Sequence, residues 1–183
     1  WSAGLISNTS SLTLIGQGVT ESTRIGRKAV IKSIGMRGLL KMSSISGAGL
    51  QPAQTTRLFI VLDKQANGAA PAVSGASGLL ETADFQSFNS LANKGRYKVL
   101  LDKTFTFNAI AAAGDGAAND TAPVNKNFTF FKKCNIPMEY SGVANPSVIT
   151  EVRTNNIFGI VISDNTTSTV ALVSKLRFRF SDG

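Results

Sequence analysis

The chain contains no histidine and a single cysteine, Cys134. Together these facts remove the usual zinc ligand sets, Cys-His nucleophile pairs and Ser-His-Asp triads, because each needs an imidazole or paired thiolates. A disulfide within the chain is excluded as well, and Cys134 reads as a small buried hydrophobe. Acid-base chemistry would then fall to the 11 carboxylates, which are mostly separate in sequence. A glycosidase needs two of them opposed in space, and linear order does not establish such a pair. Asp115 and Asp120 share a Gly-rich stretch whose oxygens could face calcium, but the EF-hand ligand spacing is missing, and a solvated loop is the simpler reading. Gly16-Gln17-Gly18 begins like a phosphate loop, yet neither a Lys-Ser/Thr ending nor the rest of a dinucleotide pattern follows. The four Asn-x-Ser/Thr matches, at Asn8, Asn119, Asn127 and Asn165, are expected by chance in a chain so rich in Asn and Thr. The residues imply no enzyme, no cofactor and no metal site.

The bases are more informative. Nineteen Lys and Arg against 11 Asp and Glu leave a net charge of +8. The excess is uneven: residues 1–60 hold Arg24, Arg27, Lys28, Lys32, Arg37, Lys41 and Arg57 against Glu21 alone among acids. Arg24, Arg27, Lys28 and Lys32 share one extended stretch, and Lys175, Arg177 and Arg179 alternate along another. If those stretches are neighbouring strands, the seven bases form a surface that neutralises phosphates without reading bases. The competing reading is that strand Lys and Arg protect sheet edges or pair with acids at a subunit contact. Charge of this size also aids solubility, so sequence alone leaves both open. Most phenylalanines recur at period two and belong to a core, but Phe130 and Phe131 have opposite parity, which leaves one of them free for an interface.

These side chains must be positioned by strands, since helical periodicity is nearly absent and alternating or β-branched runs recur between turn clusters. The clearest is Thr169 to Phe180, with Val170, Leu172, Leu176, Phe178 and Phe180 on one side and Lys175, Arg177 and Arg179 on the other. Arg24 to Lys41 is long for one strand and alternates imperfectly, Val30, Ile34 and Met36 sharing a parity with Lys28 and Lys32. Gly26, Gly35 and Gly38 are expected to mark bulges or bends there. Arg57 to Asp63 reads as a strand buried on both faces and ended by a turn at Asn67-Gly68. Arg96 to Asn108, Asn127 to Tyr140, Thr150 to Thr154 and Asn156 to Ser163 follow, with weaker edge candidates at Leu5-Ile6 and Leu12 to Ile15. Glu81 to Asn93 is the one helical expectation, with Phe85, Phe88, Leu91 and Ala92 at helix spacing behind Thr82 as a cap. Ala109 to Val124 and Ser43 to Thr56 read as long loops. A chain of 183 residues suits one domain spanning residues 1–183, and its longest apolar runs, such as Leu58 to Leu62, are far below the roughly 20 residues of a membrane span.

The order of these segments resembles a family. Arg24-Ile25-Gly26-Arg27-Lys28 leading into Ile34-Gly35-Met36-Arg37-Gly38 is similar to the early strand of single jelly-roll capsid proteins of small circular single-stranded DNA viruses, and of related plant satellite-virus capsids. Val61 to Pro71, the Phe85/Phe88 segment, Arg96 to Lys103 and Leu176 to Asp182 resemble further segments in the same order, so the likeness runs from Arg24 to the end. It implies an all-β, eight-stranded antiparallel jelly roll of two packed four-stranded sheets, with one short helix in a loop. It also implies self-assembly into an icosahedral shell of about 60 copies, enclosing single-stranded nucleic acid, DNA favoured, against an inner basic surface. The expected location is the virion, with the host nucleus visited during assembly; the receptor is not identified and no membrane insertion is implied. Such proteins carry a basic N-terminal arm, expected here before Trp1. The rival is a non-viral jelly-roll module binding carbohydrate or a receptor.

Overall fold

The computed structural model describes residues 6–42, 53–108, 125–144, 147–164 and 170–182. Most of the expected Ser43 to Thr56 loop and all of Ala109 to Val124, with Asp115 and Asp120, lie outside the described residues, as does Trp1. The strands are β1 (Ile6–Ser11), β2 (Lys28–Met42), β3 (Gln54–Asp63), β4 (Tyr97–Phe107), β5 (Asn125–Tyr140), β6 (Val152–Thr154), β7 (Asn156–Ser163) and β8 (Val170–Asp182). They form two antiparallel four-stranded sheets, ordered β1-β7-β3-β4 and β6-β5-β2-β8. The chain passes between sheets at most connections, with adjacent pairings only at β3–β4 and β5–β6, which gives the two-layer jelly-roll arrangement.

Alternation explains how the layers close. Ile31, Ile34, Met36 and Leu40 of β2 meet Leu58, Ile60 and Leu62 of β3 and Ile157 and Val161 of β7 in one cluster between the sheets. Phe105 of β4 and Phe128 of β5 touch across the layers, ring centroids 6.0 Å apart and tilted by 56°. Phe128 lies over Gly38 of the neighbouring strand, where a Cβ would come within 2.5 Å of the ring, so that glycine serves close approach within a regular ladder. Of the three glycines expected to mark irregularities, Gly35 and Gly38 both sit in unbroken pairing, and Gly26 precedes the strand.

The irregularity of β2 lies elsewhere. Against β8, Ile31 pairs with Phe180 and Ser33 with Arg179, two steps on β2 for one on its neighbour. The extra residue is a bulge, and it exchanges the faces of everything after it. Ala29 and Ile31 point inward before the bulge, Ile34, Met36 and Leu40 after it, which is why Lys28 and Lys32 share a parity with core residues while staying exposed.

Two expectations at the margins are corrected. The first strand is Ile6–Ser11, a mostly polar ISNTSS segment, whereas Leu12 to Ile15 is not a strand; pairing with β7 carries β1 with little help from apolar alternation. Glu81 to Asn93 forms no helix. Arg57 Nη1 donates to the carbonyls of Phe85 at 2.9 Å and Ser87 at 2.7 Å, taking acceptors a helix would use. Thr82 caps nothing: its backbone N–H donates to Ser87 Oγ. Phe88 and Leu91, placed by helical spacing on a buried face, are 81% and 71% exposed. The helical element among the described residues is a 3-10 turn at Ile149–Glu151.

What the 64–96 connection does instead is cover the outer face of the first sheet. Leu79 and Leu80 pack with Phe59, Val61, Phe158, Ile160 and Ile162, so β3 is buried on both sides, as its unbroken apolar run predicts. Its Asn67-Gly68 turn forms with Gly68 at φ 78°. Acids on this sheet are committed to arginines: Asp102 to Arg57 at 2.6 Å and Asp63 to Arg96 at 2.7 Å. The hydrogen bonds that Arg96 donates to Asp63, opposed by partial burial and aided by the Asp63 charge, hold its guanidinium above the ordinary pKa. No described layer lies over the outer face of the second sheet, and no helix among the described residues is long and apolar enough to cross a membrane.

Candidate nucleic-acid interface

The outer face of the β6-β5-β2-β8 sheet is built row by row from the register. Lys133, Ser33 and Arg179 lie side by side on β5, β2 and β8; then Phe131, Gly35 and Arg177; then Thr129, Arg37 and Lys175. Strand spacing puts neighbours in a row about 4.8 Å apart and successive rows about 7 Å apart. Arg37, Lys133, Lys175, Arg177 and Arg179 are all exposed, and none makes an ion pair among the described residues, where both pairs belong to the other sheet. Arg37 stands directly opposite Lys175. Like charges at paired positions destabilise a sheet by a few tenths of a kcal/mol to about 1 kcal/mol, and no carboxylate occupies these rows to offset it. All residues of these rows but Lys133, which stands at its edge, line a cleft of about 950 Å³.

The sequence-level candidates divide unequally. Lys175, Arg177 and Arg179 project from β8 into this cleft, opposite to Leu176, Phe178 and Phe180, which pack against the core. Lys28 is exposed on the same sheet beyond the bulge and Lys32 is exposed at the bulge itself; Lys28 is paired in register with Glu139, and Lys32 Nζ donates to Asn135 Oδ1 at 2.8 Å. Arg27 is exposed just before β2, its carbonyl accepting the Tyr140 N–H at 2.8 Å. Arg24 does not belong to the surface at all. It is fully buried; its Nε donates to Ile15 O at 3.1 Å, Nη1 to Gly26 O at 2.5 Å and Nη2 to Gly142 O at 2.7 Å, while the guanidinium lies 4.3 Å from the centroid of the Tyr140 ring. Residue type alone made Arg24 look like a phosphate ligand, but its donors are spent on carbonyls of three chain segments.

Arg37 and Lys133 are the bases that sequence reasoning left out of the surface. Their signal was the imperfect parity of β2: once the bulge is placed, Arg37 must face outward with Gly35, beside odd-numbered β5 residues. The opposed parity of Phe130 and Phe131 resolves the same way. Phe130 packs against the core and Phe131 is 64% exposed in the cleft.

Cys134 lies on the inward side of β5, half-buried, its thiol 3.4 Å from Ile31 O. Burial pushes that thiol up in pKa, with Lys132 pulling the other way, so it is a poor nucleophile. Among the described residues no group of three or more His, Cys, Asp or Glu could hold a metal ion. The arrangement can do one kind of chemistry well, which is to hold an extended polyanion along β2 and β8. No family model matches the chain, and no curated protein matches it in sequence.

Proposed function

We propose that this chain is the shell subunit of an icosahedral particle that encloses single-stranded nucleic acid, with the outer face of the β6-β5-β2-β8 sheet turned toward the genome. The observation that carries this reading is the cluster of Arg37, Lys133, Lys175, Arg177 and Arg179 on one face, without ion pairs among the described residues and with Arg37 set against Lys175. Five clustered cations without acids are costly in an isolated subunit and are offset when phosphates lie between them. The segment resemblance supplies the particle, the many-copy assembly and the preference for DNA. Exposed apolar residues on the opposite side of the molecule, Phe88 and Leu91 foremost, supply contact surface for neighbouring copies.

The test is charge reversal at Arg177 and Arg179 in the full-length protein, followed by negative-stain microscopy and an absorbance ratio at 260 and 280 nm. Arg177→Glu with Arg179→Glu should leave the fold and particles intact while the packaged nucleic acid falls severalfold. In filter binding, each phosphate contact these bases make on a single strand should add about −0.7 to the salt slope, and the double variant should flatten it. Unchanged packaging and slope would remove the face from the mechanism; a protein that stays small at every salt and pH would favour a monomeric or trimeric binding module.

A further inference from the structure

The cleft is not uniformly cationic, and its centre is the informative part. The middle row is Phe131, Gly35, Arg177. Phe131 is a large apolar side chain left 64% exposed among five bases, where core packing does not account for it. Gly35 beside it presents no side chain. The Phe131 ring leans toward it, with Cδ2 3.8 Å from where a Gly35 Cβ would stand, and Arg177 O is 3.8 Å away on the other side. The sheet therefore has a notch one residue wide, walled by an aromatic side chain from β5 and by Arg177 from β8.

The width of that notch is set by the sheet. Phe131 and Arg177 stand two strand spacings apart, about 9.6 Å. A flat ring inserted between two planar groups needs twice the stacking rise, about 7 Å. Phenylalanine rings and arginine guanidinium planes are the groups on which unpaired bases stack. The bases of a duplex are already stacked and turn only their edges outward, so they cannot enter.

We propose that the notch over Gly35 is a nucleobase-stacking subsite, in which one unpaired base lies against Phe131 while Arg37, Lys133, Lys175 and Arg179 hold the flanking phosphates. The inference rests on the polyanion-binding reading above and deepens it: the face selects single strands over duplex, with little preference among bases because every base has a stacking face. The same chemistry accommodates DNA or RNA.

The experiment compares binding of the full-length protein to a short oligothymidylate, to an abasic oligonucleotide of equal length and to a duplex. Wild type should bind oligothymidylate about tenfold more tightly than the abasic strand. Phe131→Ala should bring oligothymidylate down to the abasic level and leave abasic affinity and salt slope unchanged. Phe131→Trp should retain the preference. Gly35→Leu fills the notch, and because its Cβ meets only ordinary contacts it should erase the preference without unfolding the strand. Equal wild-type affinity for the two strands, or a preference that survives Phe131→Ala, would overturn the subsite while leaving the basic face intact. If neither strand binds in a salt-dependent way, the basic-face reading fails together with it.

Discussion

Arginine carries opposite duties in the same chain, buried at Arg24 against Tyr140 and exposed at Arg37, Arg177 and Arg179. The Arg24 guanidinium gathers carbonyls from Ile15, Gly26 and Gly142 and lies against the Tyr140 ring, joining the segment before β2 to the end of β5. Arg24→Met keeps much of the volume but leaves those buried acceptors without donors, and should cost about 3 kcal/mol in urea unfolding, with nucleic-acid affinity unchanged; a loss of affinity at unchanged stability would contradict the structural role. Tyr140 is buried, donates its hydroxyl to Thr13 O at 2.8 Å, and its pKa is pushed up to about 12 by burial, with Arg24 and a backbone hydrogen bond opposing. The native state thus holds a proton that the unfolded chain releases near pH 10. Its stabilisation is whole below about pH 10 and is lost as pH rises through about 12, of order 2–3 kcal/mol. Tyr140→Phe should be less stable at neutral pH and should lack this part of the alkaline decline, as unfolding free energies measured from pH 9 to 12 would show.

At the scale of elements, β2 is the strand on which both faces of the second sheet depend. Its bulge between Ile31 and Ser33 allows exposed Lys28 and Lys32 to precede Ile34 and Met36 without moving a charge into the core. Gly38 sets the depth at which Phe128 can sit and hence how β5 meets β4 through Phe105. A methyl at that position would displace the ring, so Gly38→Ala should destabilise by about 2 kcal/mol. Gly35→Ala, three residues away on the open face, should be close to neutral. Parallel thermal melts of the two variants decide whether the packing side of β2 has been assigned correctly.

The molecule as a whole is asymmetric. One sheet is covered on its outside by the 64–96 connection and keeps its acids in ion pairs; the other leaves its outer face basic and unpaired among the described residues. Under the proposed shell, this asymmetry gives the subunit an inner and an outer side. Phe88 and Leu91 project from the covering connection rather than into it. Phe88→Asp with Leu91→Asp should leave the monomer's melting temperature within a few degrees of wild type, because neither side chain is buried, while sedimentation shifts from particles toward small species. Particles that persist would place the subunit contacts elsewhere on the surface.

The strands themselves were legible in the sequence wherever one face is apolar. Val170 to Phe180 and Arg57 to Asp63 announce both their extended form and their buried sides through their apolar pattern, whereas Tyr97 to Phe107 announces only its extended form: a bulge between Val99 and Leu101 turns Tyr97 and Val99 to the outer cluster while Phe105 and Phe107 face the core between the sheets. Lys175, Arg177 and Arg179 were assigned to a common face by the same rule. The polar strand β1 was not legible, since its pairing with β7 is a property of the neighbour more than of ISNTSS. The helix expected at Glu81 to Asn93 failed because Arg57, distant in sequence, takes the carbonyls of Phe85 and Ser87. Arg24 and Arg37 mark the same limit for the site: composition counts both as bases, but whether a guanidinium meets solvent or a cage of carbonyls depends on which segments fold over it. Sequence by itself determined the β architecture, the basic excess and the lack of histidine chemistry, which follow from residue type and local period. Only the tertiary structure decided which bases share a face, because a single inserted residue in β2 turns every later side chain to the other side of the sheet.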